Sequence, residues 1–471
     1  MSKEVKQRKA LDLNVYVLLV IMALFAMVLT WVVPAGIFDR ETTDGVTRVI
    51  AGTYHRVEQM PQSPWSLAIA IVQGFIDRGA LIFMIFFVGA AVRMLDKSQA
   101  INVAFVRMAK AVKGREQIAI FLIMLFMSIG GATGVFGNVT LVLIPVGIYL
   151  SQAMGFDKTL GFFMIFFGSF SGFNVGWANA GVLGLAQTIA ELPMFSGIQV
   201  RIFFHIVNFA LSYLFVLRYF YQIKKDPTKS LNYKTGMLKN DYMGSPDGEE
   251  LVESKLSVAQ ILSLLALIVG IAVVIVGSLT LKWKPIHIAA VFLVVSLVIG
   301  LVNGWGANGT AKAFIKGCSD LVPAAFIVGF ANAIMIMLNQ GLILDTIVNA
   351  LASPINRFGP VVGANFMLFV NTLISLLISS GSGQATTVMP IMVPVADLTG
   401  ITRQVAVQTF QFGDGFTNCI VPTVGTLMGG LAFAGLGYGK YLKKVMPLII
   451  IQIALAHVAI TVLQMIGWTG L

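Results

Sequence analysis

The sequence predicts an all-α polytopic membrane protein built as two inverted repeats, each with a re-entrant helical hairpin and a broken transmembrane helix. Three observations carry that prediction. The 471 residues are 57% hydrophobic and only 11% charged, where soluble domains run at about 25% charged, and mean hydropathy is +0.87. Apolar runs that suit roughly 30 Å of hydrocarbon recur, the clearest at Val15 to Val33, Ile202 to Leu217, Leu256 to Leu281, Ile286 to Val302 and Val445 to Ile466. The third observation is a pair of similar tips, one per half, that ordinary spans do not contain.

The first tip reads Gly130-Gly131-Ala132-Thr133-Gly134-Val135-Phe136-Gly137-Asn138-Val139-Thr140, followed by an apolar arm with Pro145. The second reads Ser380-Gly381-Ser382-Gly383-Gln384-Ala385-Thr386-Thr387-Val388-Met389-Pro390, followed by an arm with Pro394. Each sits between arms too short to cross a bilayer comfortably. Irregular backbone at membrane depth survives only where protein or a water-filled cavity satisfies its polar groups. Two such elements in corresponding positions of two halves point to the binding site of a carrier.

Register and loop charge define the repeats. One constant shift in numbering takes Gly74 to Gly317, Asp77 to Asp320, Ala90 to Ala333, Met94 to Met337 and Leu95 to Leu338. Past an insertion, a longer shift takes Gly134 to Gly383, Val139 to Val388, Pro145 to Pro394 and Val146 to Val395. The first shift then returns, pairing Phe167 with Phe410, Gly172 with Gly415 and Phe173 with Phe416. The segment Lys97 to Glu116 carries Lys97, Arg107, Lys110, Lys113 and Arg115, whereas its counterpart Gln340 to Phe358 has only Arg357. By the positive-inside rule the first is cytoplasmic and the second external, so the copies are inverted and their tips enter from opposite sides.

The remaining boundaries follow. Residues 1–63 hold a first helix and an external loop, and 64–221 form the first repeat, with its hairpin near 117–155 and its broken helix near 158–188. Lys224, Lys225, Lys229, Lys234 and Lys239 open a cytoplasmic linker over 222–255, and further helices fill 256–303. The second repeat is 304–444, with its hairpin near 360–398 and its broken helix near 404–433, and 445–471 is a last helix. Lys3, Lys6, Arg8 and Lys9 precede the first span, which has no convincing small-residue cleavage pattern after it and reads as a retained helix. The N-terminus is then cytoplasmic and the C-terminus external. The net charge of +11 belongs to cytoplasmic loops rather than to nucleic acid. Cys318 and Cys419 read as small core residues, and Trp31, Trp65, Trp283 and Trp468 as interface anchors.

The chemistry concentrates beside the tips. In the first half Thr133, Gly134 and Asn138 lie at the tip, and Gly168-Ser169-Phe170-Ser171-Gly172-Phe173-Asn174 reads as a mid-membrane break. In the second, Ser382, Gly383, Gln384, Thr386 and Thr387 crowd the tip, and the next helix carries Gln411-Phe412-Gly413-Asp414-Gly415-Phe416-Thr417-Asn418. An acid inside a span is costly and by default functional. Asp414 therefore becomes the coupling residue, for sodium or a proton, with Ser171, Thr387 and Thr417 as further ion-coupling candidates. The alternatives for Asp414 are pairing with a cationic substrate group or capping a half-helix. Asp77 and Asp320 begin helices and read as caps. Glu191, His205 and Asp397 read as interfacial or packing residues. No Gly-Lys-Ser/Thr phosphate loop occurs, so no cofactor is expected and transport draws on an ion gradient or exchange.

Over nearly its whole length the chain resembles the YfcC-like carriers grouped with the anaerobic four-carbon dicarboxylate carrier DcuC, in the broad ion-transporter superfamily of bacterial secondary transporters. The likeness rests on Gly130-Gly131-Ala132-Thr133-Gly134, on Leu192-Pro193-Met194-Phe195-Ser196-Gly197 with Arg201, and on the Ser-Gly-Ser-Gly-Gln-Ala tip with Met389-Pro390. It implies a homodimer in the bacterial inner membrane, with a scaffold domain and a mobile transport domain working as an elevator. It also implies a small-molecule substrate held by Thr133, Asn138 and Asn174 in one half and by Ser382, Gln384, Thr386, Asp414 and Asn418 in the other. Many such carriers have an acidic pair after the first tip where this chain has Gly137 and Asn138, which weakens an expectation of basic amino-acid substrates. The expected function is ion-coupled transport or exchange of an amino acid or small carboxylate, including a C4-dicarboxylate. A channel and an intramembrane aspartyl protease are the competing classes. The protease would need a second facing aspartate, and the matching position holds Ser171.

Overall fold

The computed structural model describes residues 15–43, 46–50, 52–100, 114–137, 139–233, 256–281 and 283–470. The body is helical. In the first half run α1 (Val15–Val32), α2 (Pro64–Asp77), α3 (Gly79–Lys97), α4 (Glu116–Ala132), α5 (Val139–Ala153), α6 (Lys158–Phe173), α7 (Leu185–Ile189) and α8 (Ile198–Lys225). The second half has α9 (Val258–Thr280), α10 (Pro285–Val302), α11 (Gly306–Asp320), α12 (Val322–Gln340), α13 (Leu344–Ala352) and α14 (Pro360–Leu377). It ends with α15 (Gly381–Thr399), α16 (Arg403–Asn418), α17 (Gly425–Ala434) and α18 (Tyr438–Met465).

Local chemistry sets many of the boundaries. Ser63 caps α2, which has Pro64 in its first turn. Asp157 caps α6, Thr402 caps α16, and Ser257 with Gln260 closes a reciprocal capping box on α9. Side-chain oxygens there satisfy amides that have no partner within the helix. The α2–α3 and α11–α12 junctions fall at Arg78 and Leu321, just after the corresponding Asp77 and Asp320. Neither aspartate caps the following helix, because α3 and α12 have no side-chain cap. Asp320 instead pairs with Lys316 and Arg93.

Among the described residues six helices are long and apolar enough to cross a membrane, and a bent pair over 306–340 makes up to seven. The arms of the first hairpin are short, at 17 and 15 residues. The arm before the second tip corrects the sequence reading: α14 has 18 residues and qualifies as a span. The segment expected as an external loop carries short strands. Gly36–Ile37 (β1) pairs with His55–Arg56 (β4), and Arg40–Thr43 (β2) with Val46–Val49 (β3), in two antiparallel ribbons. Arg40 ties this loop to α13 through both oxygens of buried Asp345.

Two packing groups emerge from the neighbours each helix chooses. In one, α3 packs on α10 and α11, α12 on α1 and α2, and α9 on α10. In the other, α6 packs on α4, α5 and α8, α14 on α16 and α18, and α15 on α16 and α7. The main helix-to-helix meeting between the groups is α12 against α17, with a lesser one of α3 against α5. Most basic residues of the loop after α3 and most of the linker over 222–255 lie outside the described residues. The described start of the linker folds back, with Ser230 donating to Asp157 Oδ2 at 2.5 Å and Tyr219 donating to the same oxygen.

Candidate functional site

Helix α6 continues through the glycine- and serine-rich stretch and stops at its end, at Asn174. The predicted break therefore falls after Phe173 rather than inside Gly168–Gly172. The reason is packing: a Cβ on Gly172 would collide with the Ser128 carbonyl, and one on Gly131 with the Ser169 carbonyl. Small residues let α4 and α6 approach backbone to backbone. Beyond the break lie a π-helical turn at Ala180–Gly184, capped by Asn179, and then α7. Helix α16 runs unbroken through Asp414 to Asn418 and resumes as α17 at Gly425. Asp414 thus sits in the last turn before a break, not at the start of a half-helix, and its capping role is not seen.

The two breaks cross. Asn174 lies against Gly415, where any Cβ would meet the Asn174 backbone. Gln411 donates to the Phe173 carbonyl at 2.8 Å, and the Asn174 amide points at Cys419 Sγ, 3.7 Å away. Each tip docks on this crossing. Gly134 has a positive φ of 76° and abuts Asn179, so a Cβ there would stand 2.6 Å from Asn179 Oδ1. A Cβ on Gly381, at the second tip, would lie 2.8 Å from Asp414 Oδ2 and 3.0 Å from Val182 in the π-helical turn of the other half.

Several predicted residues meet here and others do not. Asn174, Gln384, Asp414, Thr417 and Asn418 are buried at the crossing or against the second tip. Gln384 donates to the Asn371 carbonyl at 3.1 Å. Thr133 spends its hydroxyl on the carbonyls of Ile129 and Gly130, and Thr386 on that of Gly383. Gly383 donates its amide to Ser380 Oγ. Ser382 is exposed, Thr387 is half-buried one residue past Thr386, and Asn138 lies outside the described residues. Ser171 faces elsewhere: it bonds Ser128 at 2.7 Å and donates to the Gly168 carbonyl. Ser128 bonds His205 Nε2, and His205 Nδ1 accepts from Trp177. His205 is therefore part of a buried chain, and Trp177 is its donor. Trp468 corrects its reading as an interface anchor, because it is buried beside the Arg201 guanidinium.

The most informative feature is what stays unpartnered. Asp414 Oδ1 accepts from Asn418 at 3.1 Å, but among the described residues Oδ2 has no partner. Ser375 lies beside the same carboxylate, and its hydroxyl has none either. Asn371 Oδ1, Gln384 Oε1, Gln411 Oε1, Thr417 Oγ1, Asn418 Oδ1 and Thr423 Oγ1 are likewise buried without partners. Buried polar atoms are nearly always satisfied, and a cluster of exceptions calls for water or an ion. Apart from Thr423, these oxygens come from α14, α15 and α16, which pack on one another, and the C-terminal dipole end of α16 favours positive charge. Asn371 and Ser375 were missed by the sequence reading. Their signal was a polar pair four residues apart, on one face of the arm before the second tip.

Multiple spans, two docked tips and two crossed breaks define a multi-pass membrane protein of the secondary-transporter class. The chain belongs to the C4-dicarboxylate anaerobic carrier family, whose profile matches residues 13–465. It is 26% identical to YfcC of Escherichia coli (strain K12), over 96% of each chain, and that protein's name proposes basic amino acid antiport. It is also 26% identical to an uncharacterized protein of Haemophilus influenzae, over 86% of this chain and 80% of that one. Among solved structures it is similar to the Alcanivorax borkumensis YdaH transporter, at 16% identity and a TM-score of 0.42 over 97% of this chain and 99% of that one. It is similar too to Neisseria gonorrhoeae MtrF, described in a study of antimetabolite efflux pumps, at 15% identity and a TM-score of 0.40 over 96% of each chain.

Proposed function

We propose that this protein is an ion-coupled secondary transporter or exchanger of a small polar metabolite, an amino acid or small carboxylate, using elevator-type alternating access. The observation that carries the reading is the set of unpartnered oxygens around Asp414 at the crossed breaks. Half-helix ends and unwound backbone are where carriers of this type hold coupling ions. Several hard oxygen donors around one carboxylate suit sodium; a proton would need the carboxylate alone. The family description names C4-dicarboxylates and the YfcC name proposes basic amino acids, so the names divide on substrate charge.

The same element order in both halves supports two repeats, and the loop charges support their inversion. The packing groups support a scaffold of α1–α3 and α9–α12 beside a transport domain of α4–α8 and α14–α18. We place the protein in the bacterial inner membrane as a homodimer, with its N-terminus cytoplasmic. Proteolysis by aspartates is disfavoured because, among the described residues, the side chains beside the Asp414 carboxylate are Asn418 and Ser375, not a second acid.

The test is uptake by proteoliposomes of purified protein under an imposed sodium gradient at constant pH. Asp414→Asn is expected to abolish gradient-driven uptake while the protein still purifies as a folded species. Full retention of sodium coupling by that variant would overturn the assignment. Wild-type uptake that follows a pH gradient and ignores sodium would reassign the coupling to protons.

A further inference from the structure

A polar cavity of about 250 Å³ lies beside the second tip. One wall is the α2–α3 junction and α12, and the other is Ser379 and Ser380 with the start of α17. Among the described residues lining it, Arg78 alone is charged. Its Nε donates to Asn332 Oδ1 at 2.9 Å. Among the described residues no carboxylate comes within ion-pair distance of its guanidinium, for the recorded pairs of this region engage Arg93 and Lys316. Asp77, the adjacent acid, takes the opposite side of Asn332 at 3.5 Å and a bond from Gln73 at 2.7 Å. Arg78 sits exposed between α2 and α3, so the guanidinium N–H groups not spent on Asn332 face a ligand in the cavity.

The facing wall is built for the opposite charge. Helix α17 starts at Gly425 with no side-chain cap, so its first amides and the positive end of its dipole open on the cavity. Thr423 Oγ1, also in the lining, is buried without a partner. Guanidinium, free amides and hydroxyls form the donor set of a carboxylate site. It carries one positive side chain, and so matches one negative charge rather than two.

We infer that Arg78 anchors a single carboxylate of the transported molecule, which makes a monocarboxylate or zwitterion the preferred substrate class over a dicarboxylate. The inference rests on the transporter reading above. Because Arg78 and the tip belong to different packing groups, the bound carboxylate bridges them in this conformation and is released when they slide.

The experiment measures binding to the purified full-length protein by thermal shift, since ligands held only by the folded state raise its stability. The probes are C3–C5 α-amino acids, succinate, its monoamide and its diamide. A set containing binders among the amino acids or the monoamide, with succinate weaker and the diamide inert, is expected. Arg78→Gln should weaken the best binder by about 10- to 100-fold, as for a hydrogen bond to a charged group, and Arg78→Lys by less. Equal binding by the diamide, or undiminished binding by an Arg78→Gln protein of unchanged melting temperature, overturns the site. Tighter binding of succinate overturns the single-charge assignment. Sodium-driven uptake unaffected by Arg78→Gln would sink this site and leave the transporter reading standing, whereas loss of coupling in Asp414→Asn bears on that reading alone.

Discussion

At the scale of single residues, two buried hydroxyls behave differently. Ser171 corresponds in number to Asp414, yet its hydroxyl is satisfied by Ser128 and the Gly168 carbonyl. Ser375 was not singled out from the sequence, yet it lies beside the Asp414 carboxylate with its hydroxyl unpartnered. A satisfied hydroxyl is a structural group, and an unsatisfied one is poised for a ligand. Ser171→Ala is expected to cost about 1 kcal/mol of stability and to leave the sodium dependence of uptake unchanged. Ser375→Ala should leave the melting temperature nearly unchanged and shift half-maximal uptake to higher sodium. Sodium titrations of the two variants side by side decide this; the reverse pattern would move the ion site toward the first break. Gly415→Ala should be damaging, as at Gly131 and Gly172, because its Cβ would enter the Asn174 backbone. Overpacking of that kind costs about 1–3 kcal/mol, read as a lower melting temperature.

Elements show why some of this was legible in the sequence and some was not. Helix starts were legible because capping residues act locally: Asp157 and Thr402 start α6 and α16, and Ser380 starts α15. Tertiary packing is what pattern reading lacked. Glycines at 131 and 172 looked like helix breakers, but they serve backbone contact between α4 and α6, and the break moved to Asn174. Satisfaction was invisible as well, since nothing in the order of residues says that Thr133 bonds back on its own helix while Thr417 does not. Asp157 offers a test at this scale. It caps α6 through Leu160 N at 2.8 Å and also receives Tyr219 and Ser230. Asp157→Ala removes the cap, worth about 0.5–2 kcal/mol, and strands two buried hydroxyls, so a clear drop in melting temperature is expected. Asp157→Asn keeps one accepting oxygen and can serve either the cap or the two hydroxyls but not both, so a smaller drop than that of Asp157→Ala is expected.

For the whole molecule, the proposed elevator requires the two packing groups to slide past each other. Their principal helix contact is α12 against α17, and the start of α17 also meets α3: a Cβ on Gly425 would lie 3.0 Å from Leu81 Cδ2 and 3.5 Å from Val328 Cγ2. Packed interfaces favour discrete arrangements over continuous deformation. Fixing this one should therefore hold the protein in the conformation described here. Both native cysteines are free, so Cys318→Ala and Cys419→Ala provide a background for Leu81→Cys with Gly425→Cys. Joining the pair with a short, cleavable thiol cross-linker is expected to stop uptake almost completely, and cleavage should restore it. A control pair within one group, Val291→Cys with Gly270→Cys, joins α9 to α10 and should leave uptake intact when cross-linked, since those helices would move as one body. Undiminished uptake through a fully cross-linked Leu81–Gly425 pair would mean that α3 and α17 do not separate during transport. Alternating access would then have to come from the tips moving on a fixed body, with Gly381 leaving Asp414 and Val182 as the gating step.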